Sequence, residues 1–164
     1  MELYFKKYSE LSQIERNQIK NLIIEGDEVN VNTLTERLSN SEIIAFYVEN
    51  EKIISTATIK IPTANYKKNT FINSKTNLDF NIFEFELGYI STNINFQGKK
   101  LASKLCKELC ALYPNHNIFS TTRIDNEPMK SILSKNNFKE IGNEFLNKKQ
   151  TNFLKLHIKL KKND

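Results

Sequence analysis

The stretch from Glu84 to Tyr113, EFELGYIST, then NINF, then QGKKLASKLCKELCALY, leaves the chain little choice of local structure. Aromatic and branched residues alternate into a strand, a short polar turn follows, and an amphipathic helix begins with Gln97, Gly98, Lys99 and Lys100 in its expected first turn. A strand feeding a helix in this way makes an anion site. The first helical N–H groups have no intrahelical acceptor, and the macrodipole adds about half a positive charge. Gly98 removes a side chain where a ligand would approach the backbone, Ala102 keeps the next turn small, and the lysines add full charges. Taken alone, the same residues also describe a plain strand-to-helix turn.

The flanking pattern supplies further elements. Leu3-Tyr4-Phe5 reads as a strand, and Ser9 is placed to cap a helix with Leu11, Ile14, Ile19, Leu22 and Ile23 as its inward stripe. Leu34 to Leu38 suggests a shorter helix. Ile43 to Val48 and Lys52 to Ile61, joined through Glu49-Asn50-Glu51, form a hairpin with Ile53, Ala57, Ile59 and Ile61 largely on one face, ended by Pro62. Residues 63–79 are polar, lack clear periodicity and read as a long connection. Ile118 to Thr122 is a strand whose helix crossover makes it the parallel neighbour of the strand beginning near Glu84. Asp125 or Asn126 caps a helix carrying Pro128 in its first turn, with Met129, Ile132 and Leu133 facing inward, and Phe138 to Phe145 and Phe153 to Leu160 form a last antiparallel pair.

The chain of 164 residues suits one domain, 1–164, with a substantial core, and no Pro/Gly/Ser-rich linker divides it. An N-terminus without a long apolar run argues against a leader or a membrane span and makes the cytoplasm the default. Cys106 and Cys110, four apart on one helix, suit packing or a wet face better than a disulfide, and two well-separated histidines argue against a metal site. Residues 97–164 carry 14 basic against 6 acidic residues, whereas residues 1–96 carry 10 against 13. The basic half therefore contains the expected anion site, an arrangement that suits a phosphate-bearing ligand and equally a nucleic acid. The lysines from Lys159 to Lys162 read as a solvated end.

Gln97-Gly98-Lys99-Lys100-Leu101-Ala102 resembles the Q/R-x-x-G-x-G/A signature of the GNAT superfamily of acetyl-CoA-dependent N-acyltransferases, and the segment from Asn126 to Phe138 resembles its N-x(6)-Y-x(3)-G-F element. Lys100, Leu133 and Asn137 stand where that family usually has glycine, tyrosine and glycine, and asparagine tolerates a left-handed backbone. The resemblance implies an α/β (α+β) fold: a mixed, mostly antiparallel sheet of about seven strands with one splayed parallel pair, flanked by about four helices. It implies acetyl-CoA as co-substrate, held by the backbone of Ile90, Ser91 and Thr92 and by Gln97, Gly98, Lys99, Lys100, Leu101 and Ala102, with Asn126 near the pantetheine arm. Glu86, six residues before Thr92, is the expected base, with Glu84 as its rival. Leu133 has no proton to donate, which leaves Tyr89, Ser131 or Ser134 as substitutes for an acid.

The implied activity is acetyl transfer to a primary amine on a small molecule, a protein or a charged tRNA, by a monomer or homodimer. The alternatives are a non-catalytic acyl-CoA-binding or interaction module and a nucleic-acid-binding protein that does not use CoA.

Overall fold

The computed structural model describes residues 1–26 and 29–162. Its elements are β1 (Glu2–Lys6), α1 (Gln13–Glu25), α2 (Val31–Ser39), β2 (Ser41–Glu49), β3 (Lys52–Lys60), α3 (Ala64–Asn73), β4 (Phe85–Thr92), α4 (Leu101–Leu112), β5 (Ile118–Arg123), α5 (Glu127–Lys135), β6 (Lys139–Leu146) and β7 (Phe153–Lys159). The strand order is β1-β2-β3-β4-β5-β7-β6 in one sheet of seven strands. The expected parallel pair is present, with Phe85 opposite Ile118 and Glu86 opposite Phe119. The pairs β1/β2, β2/β3, β5/β7 and β6/β7 are antiparallel. Among the described residues five α-helices accompany the sheet, one more than expected. The residues gather into two compact units, Met1–Ile61 with Leu87–Leu112, and Pro62–Glu86 with the chain from Tyr113 onward.

In the first unit, α1 starts later than the pattern suggested. Ser12, not Ser9, is the cap: its Oγ accepts from Glu15 N at 3.2 Å while Glu15 Oε2 accepts from Ser12 N at 2.7 Å. This reciprocal pair satisfies two otherwise orphaned amides, which a start at Ser9 would not. The shift in phase leaves Leu11 in the core ahead of the helix and turns Ile14 outward, 69 % exposed. The β2–β3 hairpin closes through Asn50 and Glu51 at φ 49 and 63, the pair of left-handed residues whose twist matches two antiparallel strands. Both α1 and α4 pack on β3, so that strand is buried without a break from Ile53 to Ile59 rather than on one face, and Ile61 lies exposed beyond its end. On α4, Leu101, Leu105, Cys106, Leu109 and Cys110 form the buried stripe. Both cysteines are buried and neither is in a disulfide, and burial pushes the Cys106 thiol well above its usual range.

The second unit contains the element that periodicity missed. Residues 64–73, expected to be irregular, form α3, capped by Thr63, whose Oγ1 accepts from Tyr66 N at 3.3 Å. A helix with only Thr70 and Phe71 buried carries almost no apolar stripe to read. Its stability comes from tertiary contacts: the Phe71 ring lies 4.9 Å from Phe83 and 5.5 Å from Phe119, in tilted and edge-on geometries. Its C-terminus docks through the Ser74 carbonyl, which accepts from Asn143 N at 2.6 Å. Gly142, at φ 66, lies so close that a Cβ would overlap that carbonyl oxygen.

The final strands differ from expectation in burial. In β7, paired along both edges by β5 and β6, Leu156, His157, Ile158 and Lys159 are all buried instead of alternating, and Leu160 is exposed. Of the lysines read as a solvated end, Lys159 belongs to β7, Lys161 N donates to Asn117 Oδ1 at 2.8 Å, and Lys162 N donates to Pro114 O at 3.3 Å. On α5 only Leu133 is fully buried, while Met129 and Ile132 are half-buried.

Two outcomes follow for the second unit. Gly142→Ala combines a left-handed backbone with a collision against main chain and is expected to cost about 2–4 kcal/mol, read as a lower urea midpoint. His157 is 2 % exposed, and burial first of all holds its imidazole below the usual value; Glu140 opposes the shift and Lys130 and Lys155 add to it. The unfolded chain therefore takes up the proton before the folded one does. Stability is complete above about pH 6.5 and falls as the pH drops from there toward the lowered folded value. Urea unfolding at about pH 7 and about pH 5 is expected to show this fall in the wild type and a smaller one in His157→Gln.

Candidate functional site

The turn ahead of α4 is built by short-range hydrogen bonds. Asn93 Oδ1 accepts from Asn95 N at 3.0 Å, Phe96 N donates to Asn93 O at 2.8 Å, and a single 3-10 turn spans Ile94–Phe96. The helix proper begins at Leu101, so Gln97, Gly98, Lys99 and Lys100 are not its first turn but the loop that enters it. Gly98 and Lys100 have φ 78 and 62, with Lys99 between them outside the left-handed region. Lys100 O accepts the first helical bond, from Lys104 N at 3.0 Å. The left-handed backbone at Gly98 and Lys100 bends the chain sharply as it enters α4. A Cβ at Gly98 would meet nothing within 4 Å, so that position is open to an approaching ligand. Lys99 Nζ lies 4.6 Å from the centre of the Phe96 ring, and Gln97 Nε2 donates to Thr92 O at 3.4 Å.

The end of β4 is fixed by its own polar side chains. Ser91 Oγ donates to Leu22 O at 2.7 Å, and Ser55 Oγ lies 2.8 Å from Thr92 Oγ1 and donates to Ser91 O at 3.2 Å. Just before them Tyr89 is held at φ 49, a conformation that costs an aromatic residue free energy and redirects the strand. Lys60 Nζ lies 4.6 Å from the centre of the Tyr89 ring. Ile90, Ser91, Thr92 and the residues from Gln97 to Ala102 thus fall together in the first compact unit.

The second unit holds the carboxylates. Glu86 is 3 % exposed, with Oε1 accepting from Tyr66 Oη at 2.8 Å. Tyr66 reaches it from α3, which is why the reading of residues 63–79 as a connection hid this partner. The one available signal was Thr63, a cap residue directly after Pro62. Glu84 is exposed ahead of β4 with Oε2 3.2 Å from His116 Nδ1, and so does not share the environment of Glu86. The His116 ring packs edge-on against Phe85 at 5.1 Å.

Asn126 caps α5, its Oδ1 accepting from Met129 N at 3.1 Å, and Arg123 Nε pairs with Asp125 at 3.1 Å. At the other end of α5, Phe138 N donates to Leu133 O at 3.0 Å and Asn137 N donates to Ser134 O at 3.0 Å. Asn137 has φ 65. This is the glycine-type helix stop, with Asn137 at its left-handed position and Leu133 and Phe138 buried as the apolar pair that accompanies it. Leu133 is 0 % exposed. Ser131 and Ser134 lie on the same helix, lining a cavity of about 490 Å³ with Lys130, Lys139 and His157. Among the described residues no cluster of His, Cys, Asp or Glu could hold a metal ion, and no helix is long and apolar enough to cross a membrane.

The sequence matches no protein-family profile and no curated protein. Solved structures do resemble the chain throughout its length. A GNAT-family acetyltransferase from Streptococcus agalactiae superposes with a TM-score of 0.70 at 16% identity, covering 98% of this chain and 96% of that one. The ribosomal-protein-S18-alanine N-acetyltransferase from Escherichia coli gives 0.69 at 10% identity over 99% and 97%. An acyl-CoA N-acyltransferase from Pseudomonas aeruginosa gives 0.65 at 8% identity over 96% and 98%. The chain has the GNAT fold.

Lys100 occupies a backbone position suited to glycine. Relief of about 1–2 kcal/mol of left-handed strain, set against about 0.5–1 kcal/mol of added chain entropy, gives Lys100→Gly an expected gain of about 0.5–1 kcal/mol. Lys100→Ala keeps the strain and is expected to gain nothing, so urea unfolding of the two variants separates backbone relief from loss of charge.

Proposed function

Given a chain with the GNAT fold, we propose that this protein transfers an acetyl group from acetyl-CoA to a primary amine. The observation that carries the reading is a buried carboxyl group, Glu86, on the strand that leads six residues later to Thr92 and then into the open, amide-rich turn before α4. Acetyl-CoA supplies a thioester, whose carbonyl carbon accepts a neutral amine and whose thiolate is a good leaving group. In this reading, the amides from Gly98 to Ala102 bind the diphosphate, and Lys99 and Lys100 add charge. The backbone of Ile90, Ser91 and Thr92 pairs with the pantetheine arm, Asn126 stands beside it, and Glu86 accepts the amine proton.

The residues present suit such a ligand. Gly98 leaves space for close approach, and the side chains of Ser91 and Thr92 are engaged in anchoring the strand rather than available for chemistry. Glu84 is the lesser candidate for base, since it lies exposed against His116. The acceptor class extends from small amines to protein amines and aminoacyl-tRNA, and the cytoplasm is the setting in which all three coexist with acetyl-CoA. A second reading, a non-catalytic acyl-CoA-binding module, draws on Leu133. That residue stands where the resemblance calls for a tyrosine acid and is wholly taken up by packing.

One pair of measurements separates the readings. Glu86→Gln is expected to lower kcat by about 10²–10³-fold while leaving acetyl-CoA affinity, read by calorimetry, unchanged. Equal losses in turnover and affinity would remove the base role. Affinity for acetyl-CoA without thiol release across a broad panel of amines would favour the binding module.

A further inference from the structure

Burial raises a difficulty for Glu86 as a base. With 3 % of its surface exposed, its carboxylate offers an incoming amine almost no free approach. Its hydrogen-bond partner is Tyr66, a residue 38 % exposed, which donates its phenol proton to Glu86 Oε1 over 2.8 Å. A phenol that donates one hydrogen bond can also accept one, so a tyrosine hydroxyl is chemically able to face a carboxylate and a substrate N–H at once.

From this geometry we infer that Tyr66 relays the acceptor's proton to Glu86. The inference rests on the reading of Glu86 as base. As the amine nitrogen bonds to the acyl carbon, its N–H proton passes to Tyr66 Oη and the phenol proton passes to Glu86 Oε1. The carbon–sulfur bond breaks and the thiolate leaves with its electron pair. Tyr66 ends the step neutral and Glu86 protonated. Reversal of the two transfers then delivers that proton to water or to the thiolate, so neither residue is consumed.

The placement of Tyr66 is well supported by its surroundings. Its own amide bonds to the Thr63 cap, its carbonyl accepts from Thr70 Oγ1 at 2.9 Å, and its ring lies 6.4 Å from that of Phe119. One residue along, Lys67 Nζ donates to Phe83 O at 2.8 Å and ties the same turn of α3 to the segment leading into β4. Tyr66→Phe keeps the ring and these backbone bonds while deleting only the hydroxyl.

The test compares wild type, Tyr66→Phe, Glu86→Gln and the double variant by thiol release from acetyl-CoA with ethanolamine, spermidine and lysine methyl ester. Acetyl-CoA affinity and urea midpoint are measured alongside. Two groups in series predict that each single variant loses about 10²-fold in kcat and that the double variant loses no more than the worse single. Acetyl-CoA affinity stays within about twofold of wild type for Tyr66→Phe, while the urea midpoint falls by no more than the loss of one hydrogen bond to a buried carboxylate explains. The solvent deuterium isotope effect on kcat, large when two protons move together, is expected to shrink in Tyr66→Phe. Tyr66→Phe within about threefold of wild type, with Glu86→Gln still impaired, overturns the relay and leaves the base reading standing. Multiplicative losses in the double variant also overturn it. Full activity in Glu86→Gln, or no thiol release by wild type with any of the amines, overturns the base reading itself.

Discussion

A carboxyl group can be kept from water only where the protein supplies donors and packing in exchange, and the second unit is organised by that requirement at Glu86. One such donor is the Tyr66 hydroxyl, which α3 carries to within 2.8 Å of Glu86 Oε1. The ring cluster of Phe71, Phe83 and Phe119 provides the apolar contact that holds the helix in position. The Ser74 carbonyl, seated against Gly142 and Asn143, fixes its far end to β6. A weakly amphipathic segment thus becomes one of the more thoroughly anchored elements of its unit.

A different constraint governs the first unit. The turn between β4 and α4 must leave β4 and enter a helix within a few residues, and it does so with left-handed residues at Gly98 and Lys100. Glycine adopts that geometry freely, whereas lysine adopts it at a cost that the surrounding structure has to offset. Tyr89 carries a similar burden on the preceding strand. Strain of this kind persists where neighbouring contacts over-determine the backbone, as the hydrogen bonds donated by Ser91 and Ser55 and accepted by Asn93 do here.

Much of the architecture could be read directly from residue patterns. The β4–turn–α4 segment, the parallel partner at Ile118 and the cap at Asn126 follow from local chemistry with a period or a signature. The errors have physical causes as well. Ser9 and Ser12 are both plausible caps, and only the partner glutamate at the right spacing decides between them. β3 and β7 looked half-buried because alternation reports one covered face, whereas each of these strands is covered on both. α3 was invisible because its apolar residues are few and its stability is supplied from elsewhere.

The site divides along the same line. Residue order alone determined the strand–turn–helix, the glycine and lysines of its turn, and the presence of acidic residues at 84 and 86, since each depends on neighbours a few positions away. Which of the two carboxylates is buried, that its partner is a tyrosine twenty residues earlier, and that Leu133 is used up as a helix-end anchor were decided only by the packed chain. Burial and long-range hydrogen bonding are properties of what the fold lays over a residue, and no local pattern encodes what will cover it.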